Sequence, residues 1–473
     1  MSPSPQQQLL EAFAAHARAP DNTDLLMQIC QRLVQSRRDE QMLPWADKGL
    51  ALEPDNRGFI HARGRALRLR GRHAEAAANW LAHRSLPWSP LFCEARIGRD
   101  LYLSGETERA IEHLDTALSN HPADLSRDAQ KARKWLAEAL LSLGDTRGFT
   151  HWLERNHGDS GNYRYADAPM WSGQRDLRGE RVLVTHQMGF GDQFLLFASV
   201  RQWRDAGAEI MLTCDHAIHS LMQASLPECT VLASTRPLAV SAPLPPEALD
   251  TIEAFAPTLQ ATLLHLPLLA AEDSPQPQPY FDAYLRAPAA ARERASAWSQ
   301  TLRSREPGKR LVGLFWDCAQ QHAAEIGSKE RCWAGLRSVP LAQIERLTAH
   351  PSLTREVQFV SLHHPLAELS NGTPRGAVSH YGPGIASFAD TAACIEQLDA
   401  VVSVDAVAAN LSAMLGKPTA VLVNPTGEWR WGQTAARTPW MSAATVLRQT
   451  QMGEWHDVIS RAIGWLLRSQ ATR

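Results

Sequence analysis

Glycines recur at a fixed interval in the first third of the chain. Gly64 and Gly98 lie 34 residues apart, as do Gly71 and Gly105, and the same offset pairs Leu67 with Leu101, Ala76 with Ala110 and Trp80 with Leu114. Pro54 and Pro122 stand two such intervals apart. A unit of this length has room for two helices and their turns but cannot bury a core alone. The pattern therefore confines the region to a stack of helical hairpins. Within each unit a small residue sits where the two helices approach, and an Ala packs early in the second helix. A Gly ends the first helix, because it takes the left-handed conformation without a side-chain clash. The units at 56–87 and 89–122 keep the pattern, while those at 22–54 and 128–155 are degraded. Gly144 retains the helix-ending Gly, but Phe149 stands where Ala is expected. The array is expected over 1–155, and such superhelices offer a concave face to peptides or proteins. A spacer or dimerisation module is the alternative use, and a homo-oligomer is compatible with it. The segment 156–180, rich in Gly, Asn, Asp and Ser at its start, reads as a linker.

Beyond the linker the pattern changes to alternating strands and helices. Arg181–Thr185 is a short buried strand candidate, His186–Gln193 a turn, and Phe194–Arg204 a helix with Leu196, Val200 and Trp203 at helical spacing. Strands follow at Glu209–Thr213 and Thr230–Ala233. A second start comes after a charged helix at Ala289–Leu302, with strands at Arg310–Phe315, Val357–Leu362, Ala400–Val404 and Thr419–Val423. Helices are expected between them at Leu341–Leu347, Asp390–Gln397 and Ala406–Leu415. Strand, Gly turn, helix, strand begins a doubly wound sheet, and two such halves predict a ligand cleft at the carboxyl ends of the strands. The halves are expected at 181–288 and at 289–473, the second closing with a terminal helix.

The 48 Lys+Arg against 50 Asp+Glu give a formal net charge of -2, which argues against a strongly basic nucleic-acid binder. The most apolar stretch, Thr262–Ala271, is interrupted by His265 and Pro267 and is shorter than a membrane span, which needs about 20 apolar residues. The start shows no basic segment followed by an apolar one, so no secretory signal is visible. The 7 Cys are scattered and form no CxxC, so the expectation is reduced thiols in a cytoplasmic protein without a zinc site. The 15 Trp against 6 Tyr fit sugar contacts as well as core packing.

Four constellations can carry chemistry. In Gly189-Phe190-Gly191-Asp192-Gln193 the tight turn lets backbone approach a ligand, and Asp192 is either a helix cap or a general base. Phe194 occupies the third glycine position of a dinucleotide fingerprint, and Asp192 would repel a pyrophosphate, so a dehydrogenase does not fit. Ser403–Asn410 is strand, Asp405, then a helix start lined by small residues, either an ordinary capped helix or a receiver for a diphosphate. Lys329 and Arg337 fall on an expected loop and are either a solvated charge run or cations for a leaving diphosphate. Thr426–Trp431 places aromatic rings and an Arg after the last strand, where Trp429 either packs or meets a sugar or base. His363, after VQFVSL, is placed to touch a nucleoside.

Taken together these pieces carry a resemblance. The repeats resemble tetratricopeptide repeats. From about Arg181 to Trp465 the chain resembles the heptosyltransferase-like glycosyltransferases of the GT-B fold, and is similar to bacterial proteins that join the two. The matching pieces are GFGDQ at 189–193, RSVPL at 337–341, FVSL at 359–362, SFADTAACIEQLDAVVSVD at 387–405, LGKP at 415–418 and EWRWG at 428–432. The resemblance implies an α-helical repeat domain plus two Rossmann-like halves, the first on the acceptor side and the second on the nucleotide-sugar side. It implies metal-free transfer of a sugar from a nucleotide donor with inversion and without a cofactor. Asp192 would be the base, with Gly189, Gly191 and Gln193 shaping the turn. Lys329, Arg337, His363, Asp405, Ala406, Asn410 and Trp429 would serve the donor. The family usually carries Thr and His where Ala406 and Asn410 stand.

The expected function is therefore glycosylation of a protein, for example flagellin or another surface protein, held by the repeats. The repeat-plus-GT-B plan resembles O-linked N-acetylglucosamine transferase in architecture only. Two rivals remain: transfer to a lipid-linked or polysaccharide acceptor, and a non-catalytic adaptor with a relic GT-B domain.

Overall fold

The computed structural model describes residues 4–155, 165–173, 176–234, 244–271, 280–318, 327–364, 372, 374, 378–381, 383–426, 428–433 and 436–468. The chain forms two compact units, one of residues 1–139 with 320–337 and the other of 140–319 with 338–473.

The first unit is helical. After Pro5–Arg18 come the hairpins Thr23–Gln35 with Leu43–Leu52, Arg57–Leu69 with His73–Ala82, and Pro90–Leu103 with Thr107–Asn120, then Arg127–Ser142, which belongs here through Ala139. Local chemistry sets the helix starts. The Asn56 carboxamide oxygen accepts from the N–H groups of Gly58 at 2.9 Å and Phe59 at 3.3 Å. Gly71 and Gly105 end first helices with φ of +74° and +91°. The repeated small residue has a steric cause. A Cβ on Gly64 would come within 2.9 Å of the Trp80 ring, and one on Gly98 would fall inside the Leu114 side chain. The two helices of each hairpin thus cross with a large residue seated over a missing side chain.

Residues 320–337, expected within the second nucleotide-binding-like half, group instead with the repeats. The reason is visible on the helix Ser328–Arg337, where Arg331 donates to the Glu40 carboxylate at 3.0 Å and to the Arg37 carbonyl at 2.9 Å.

The second unit is α/β. Strands β1 (Arg181–Thr185), β2 (Glu209–Cys214), β3 (Thr230–Ala233) and β4 (Leu259–Thr262) form an all-parallel sheet in the order β3-β2-β1-β4. Strands β5 (Arg310–Phe315), β6 (Val357–Ser361), β7 (Val378–His380), β8 (Ala400–Val404), β9 (Thr419–Val423) and β10 (Ala444–Arg448) form a second parallel sheet, ordered β10-β9-β8-β5-β6-β7. In register, Val182 sits between Ile210 and Leu259, and Val312 between Phe359 and Ala400. β1, β6, β8 and β9 read as apolar runs because parallel strands are covered on both faces. The terminal helix Trp455–Arg468 buries Val458, Ile459, Ala462 and Leu466 against the core of the second sheet.

Two features at the unit's start were not expected. The helix Arg147–Arg155 belongs to this unit, and Phe149 is fully buried with its ring 5.4 Å from Trp440. A large aromatic replaces the repeat's Ala because the helix packs on aromatic rings. The linker at 156–180 lies partly outside the described residues, at 156–164 and 174–175. Its described middle lies along β4, where Trp171 donates to the Gln260 carbonyl at 2.8 Å and Gln260 to the Pro169 carbonyl at 2.8 Å. The edge of the first sheet is thereby covered.

Gly98→Ala should lower the stability of the repeat unit by about 1–3 kcal/mol, because strain from overpacking at Leu114 exceeds the gain in helix propensity. Denaturant titration followed by far-ultraviolet circular dichroism measures this. Equal or higher stability would show that the helices do not cross as closely as described.

Candidate functional site

The carboxyl ends of β1, β8 and β9 converge. β1 leads through His186 and Gln187 to Met188, which takes a left-handed φ of +70°. Gln193 is fully buried and holds this turn, donating to the Met188 carbonyl at 3.2 Å and accepting from the Asp215 N–H at 3.4 Å. Asp192 uses its two oxygens differently. Oδ2 accepts from the Gly189 N–H at 3.3 Å and caps the helix Phe190–Leu196. Oδ1 pairs with the guanidinium of Arg430, which lies beyond β9. Asp192 is thus a helix cap through Oδ2 and an ion-pair partner through Oδ1.

Arg430 also pairs with Glu428. Burial opposes its charge, but the carboxylates of Asp192, Glu428 and Asp405 outweigh that and raise its pKa above the ordinary arginine value. The guanidinium is thus permanently charged. Arg448 fixes the loop that carries it, donating to the carbonyls of Gly432 at 2.6 Å and Trp431 at 3.2 Å. Trp431 in turn donates its indole N–H to Asp405 Oδ1 at 2.8 Å.

The β8 loop completes the junction. Ala406 is the N-cap of the helix Val407–Met414 and offers no side-chain acceptor to its first N–H groups. Asn410 donates to the Ala406 carbonyl at 3.1 Å, while its buried Oδ1 has no partner among the described residues. Gly191 faces this helix, and a Cβ there would come 2.9 Å from Asn410 Nδ2. A side chain at this position would make the Asn410 carboxamide shift. Phe388 adds apolar contact, with its ring 4.7 Å from Phe190 and 5.7 Å from Phe194.

Gly189, Gly191, Asp192, Gln193, Asp405, Ala406 and Asn410 thus come together. The other expected site residues have contacts of their own. Trp429 is fully buried among Phe149, Trp152 and Trp440, with ring centroids 5.2 Å from Trp152 and 5.4 Å from Trp440, so its faces pack against protein. Lys329 and Arg337 lie on the helix Ser328–Arg337 of the first unit. There Lys329 has its pKa lowered by burial and by the nearby charges of Lys134 and Arg68. Arg337 lies over the Trp333 ring at 5.5 Å. His363, at the end of β6, stacks on Phe315 at 4.0 Å and accepts from the Trp316 N–H at 3.2 Å. Burial lowers its pKa to about 4, so it is a neutral acceptor at pH 7. The sequence marks Arg430 only as the cation of an aromatic cluster suited to a sugar or base, not as a partner of Asp192. An Arg between two Trp after a strand, with a Glu two residues before it, was the available signal. Among the described residues no group of three or more His, Cys, Asp or Glu is arranged to hold a metal ion.

No protein-family model matches the chain, and no curated protein matches it. Solved structures do. A glycosyl transferase family 9 protein from Veillonella parvula aligns at 13% identity and a TM-score of 0.43, covering 64% of this chain and 99% of that one. The ADP-heptose lipopolysaccharide heptosyltransferase II of E. coli aligns at 12% identity and a TM-score of 0.40, covering 61% and 99%. YrrB, described as a TPR protein with an unusual peptide-binding site, aligns at 14% identity and a TM-score of 0.26, covering 32% and 75%.

The buried histidines of this unit make its stability depend on pH. Burial lowers the pKa of His186 and of His363 to about 4, against 6.5 for the free side chain. Between those values the unfolded chain binds more protons than the folded one. Stability is therefore full above pH 6.5 and is lost on acidification toward pH 4, at up to about 1.4 kcal/mol per pH unit for each histidine. His363→Gln should flatten its share of that slope in chemical denaturation at a series of pH values. Parallel curves for the variant and the parent would show that His363 is not held neutral.

Proposed function

We propose that the second unit is a GT-B glycosyltransferase that moves a sugar, with inversion, from a nucleotide-sugar to a hydroxyl of a protein acceptor recruited by the repeats. The observation that carries this reading is the meeting of Asp192, from the end of β1, with Arg430 and the uncapped helix start after Asp405, from the ends of β9 and β8. A carboxylate from one half pairs with a cation from the other, beside a helix start whose N-cap residue Ala406 supplies no side-chain acceptor. That is the charge pattern a displacement at an anomeric carbon requires.

In this mechanism Asp192 removes the proton of the acceptor hydroxyl as its oxygen attacks the anomeric carbon. The bond from that carbon to the diphosphate oxygen breaks on the opposite face, and its electron pair leaves with the nucleoside diphosphate. Arg430 exchanges Asp192 for the leaving diphosphate, which frees the carboxylate for the proton. The first N–H groups of the helix Val407–Met414 share the developing negative charge. Arg430 takes the cationic role that Lys329 and Arg337 were expected to play. Transfer proceeds without a metal in this reading, because guanidinium and helix terminus neutralise the leaving group. The compartment is the cytoplasm, where nucleotide-sugars are the donors.

A second reading, a non-catalytic adaptor, draws support from Ala406 and Asn410, which lack the hydroxyl and imidazole usual at their positions in the resembled family. A panel of nucleotide-sugars scored by thermal shift separates the two, since a ligand of the native state raises its apparent stability. Stabilisation by at least one nucleotide-sugar supports transfer, and silence across the panel supports the adaptor.

With a donor in hand, Asp192→Asn should reduce transfer by about 10²–10⁴-fold while nucleotide binding persists. Near-normal turnover would leave Asp192 as a helix cap alone. Activity should survive EDTA. Its loss with EDTA and return with Mg²⁺ or Mn²⁺ would overturn the metal-free assignment.

A further inference from the structure

The first helices of three successive hairpins project basic side chains toward one another. Arg65 and Arg68 lie one turn apart on Arg57–Leu69, Arg96 and Arg99 likewise on Pro90–Leu103, and Lys131 lies on Arg127–Ser142. Arg65 and Arg99 occupy the same position of consecutive repeats, 34 residues apart. These five side chains line a cavity of about 290 Å³ whose remaining walls include Trp80 and Trp135, and no acidic residue lines it.

Nearby carboxylates compensate only part of this charge. Asp39 pairs with Arg65 at 2.9 Å. Asp100, fully buried, accepts two bonds from Arg99 at 2.8 and 2.7 Å. Asp128 lies 3.5 Å from Arg96 and 3.2 Å from Lys131. Five cations against three carboxylates leave a surplus of positive charge. Arg68 is the cation least compensated: its Nε is closed to solvent and has no hydrogen-bond partner among the described residues, and Asp100 and Asp39 act on it only at longer range. A half-buried guanidinium with an unbonded Nε is poorly solvated, and an anion bound in the cavity offsets that cost. Burial and then Arg99 lower the pKa of Arg68 to about 10, which reports the same stress. Burial and the surrounding arginines hold His61 down at about 4, so it is an uncharged part of the wall at pH 7.

We propose that this cavity binds a carboxylate-bearing segment of peptide, an acidic side chain entering between Arg68, Arg65, Arg96, Arg99 and Lys131 while its aliphatic stem lies on Trp80 and Trp135. The proposal deepens the reading of the repeats as the acceptor-binding unit and rests on it for the claim that the segment belongs to the acceptor. A peptide fits better than a nucleic acid for two reasons. At about 30 Å³ per water the cavity holds roughly ten waters, room for one acidic side chain and its backbone. The five cations are gathered around one cavity rather than spread along a groove that could follow a phosphate backbone.

The test uses the full chain and fluorescence anisotropy. The probes are a labelled glutamate-rich peptide, the same peptide with Gln at every Glu, inorganic phosphate and a single-stranded oligonucleotide. The Glu peptide should bind and the Gln peptide should not, with affinity falling as salt rises. Arg68→Gln should weaken binding by about tenfold, the loss of one charge-assisted contact. Lys131→Glu, at an exposed position, should weaken it as well, and it decides the matter alone if Arg68→Gln does not fold. Equal binding of the two peptides, no binding of either, or unchanged affinity in folded variants would overturn the proposal. So would full displacement by phosphate, which marks a simple anion site, or preference for the oligonucleotide. Thermal shift with nucleoside diphosphates on the same preparation reads the other unit independently. Peptide binding without any nucleotide binding would sink the transferase reading and leave the cavity's assignment standing. Nucleotide binding without peptide binding would do the reverse.

Discussion

The second unit depends on one buried cation. Arg430 reaches two carboxylates, Asp192 from the first sheet's half and Glu428 from its own loop. Each of these ions is withdrawn from water and is tolerable only with the others present. A pair of this kind adds little net stability over a well-packed apolar substitute, yet removing one member costs about 3–5 kcal/mol. Its value is therefore positional. It fixes which residue of the β9 loop faces the β1 turn, and Arg448, Trp431 and Asp405 then hold that loop through their own bonds. Gly191 is the steric counterpart, since a Cβ there would come 2.9 Å from Asn410 Nδ2 and displace that carboxamide.

Much of this architecture was legible in the sequence, for identifiable reasons. The repeats announced themselves because Gly64 and Gly98 answer the same steric demand from Trp80 and Leu114. Strands β1, β5, β8 and β9 were legible as apolar runs bounded by turns. β4, β7 and β10 were not. β4 runs straight into the apolar stretch Leu263–His265 without a break, and β7 has only three residues. Gly189, Asp192 and Asp405 stand out because each sits in a turn at a strand's carboxyl end. Arg430 does not, since its meaning lies in a partner 238 residues away. Trp429 misled for a related reason. Sugar contact and core packing call for the same residue type, and the deciding fact is the aromatic surroundings supplied by Phe149 and Trp152.

Lys329 and Arg337 show a different limit. Their position after β5 follows the chain order of the second unit, but Arg331 and its pairing with Glu40 tie the intervening helix to the repeats. Local sequence carries no record of that exchange. The same error of reach moved the end of the repeat array: the helix Arg147–Arg155 continues the hairpin pattern in sequence while serving the aromatic core of the other unit in space.

The discontinuity of the first unit has a consequence for how the chain can be divided. A cut at 139/140 does not release a complete helical unit, because the helix Ser328–Arg337 stays covalently within the other fragment. Nor does it leave the other fragment self-contained, since that helix then presents Arg331 and Cys332 without Glu40. The two pieces are therefore natural candidates for fragment complementation, each lacking a surface that the other supplies. For the same reason the repeats are not an interchangeable cassette. A foreign array grafted ahead of Leu140 would have to reproduce the seat at Arg37 and Glu40 for a helix encoded almost two hundred residues later.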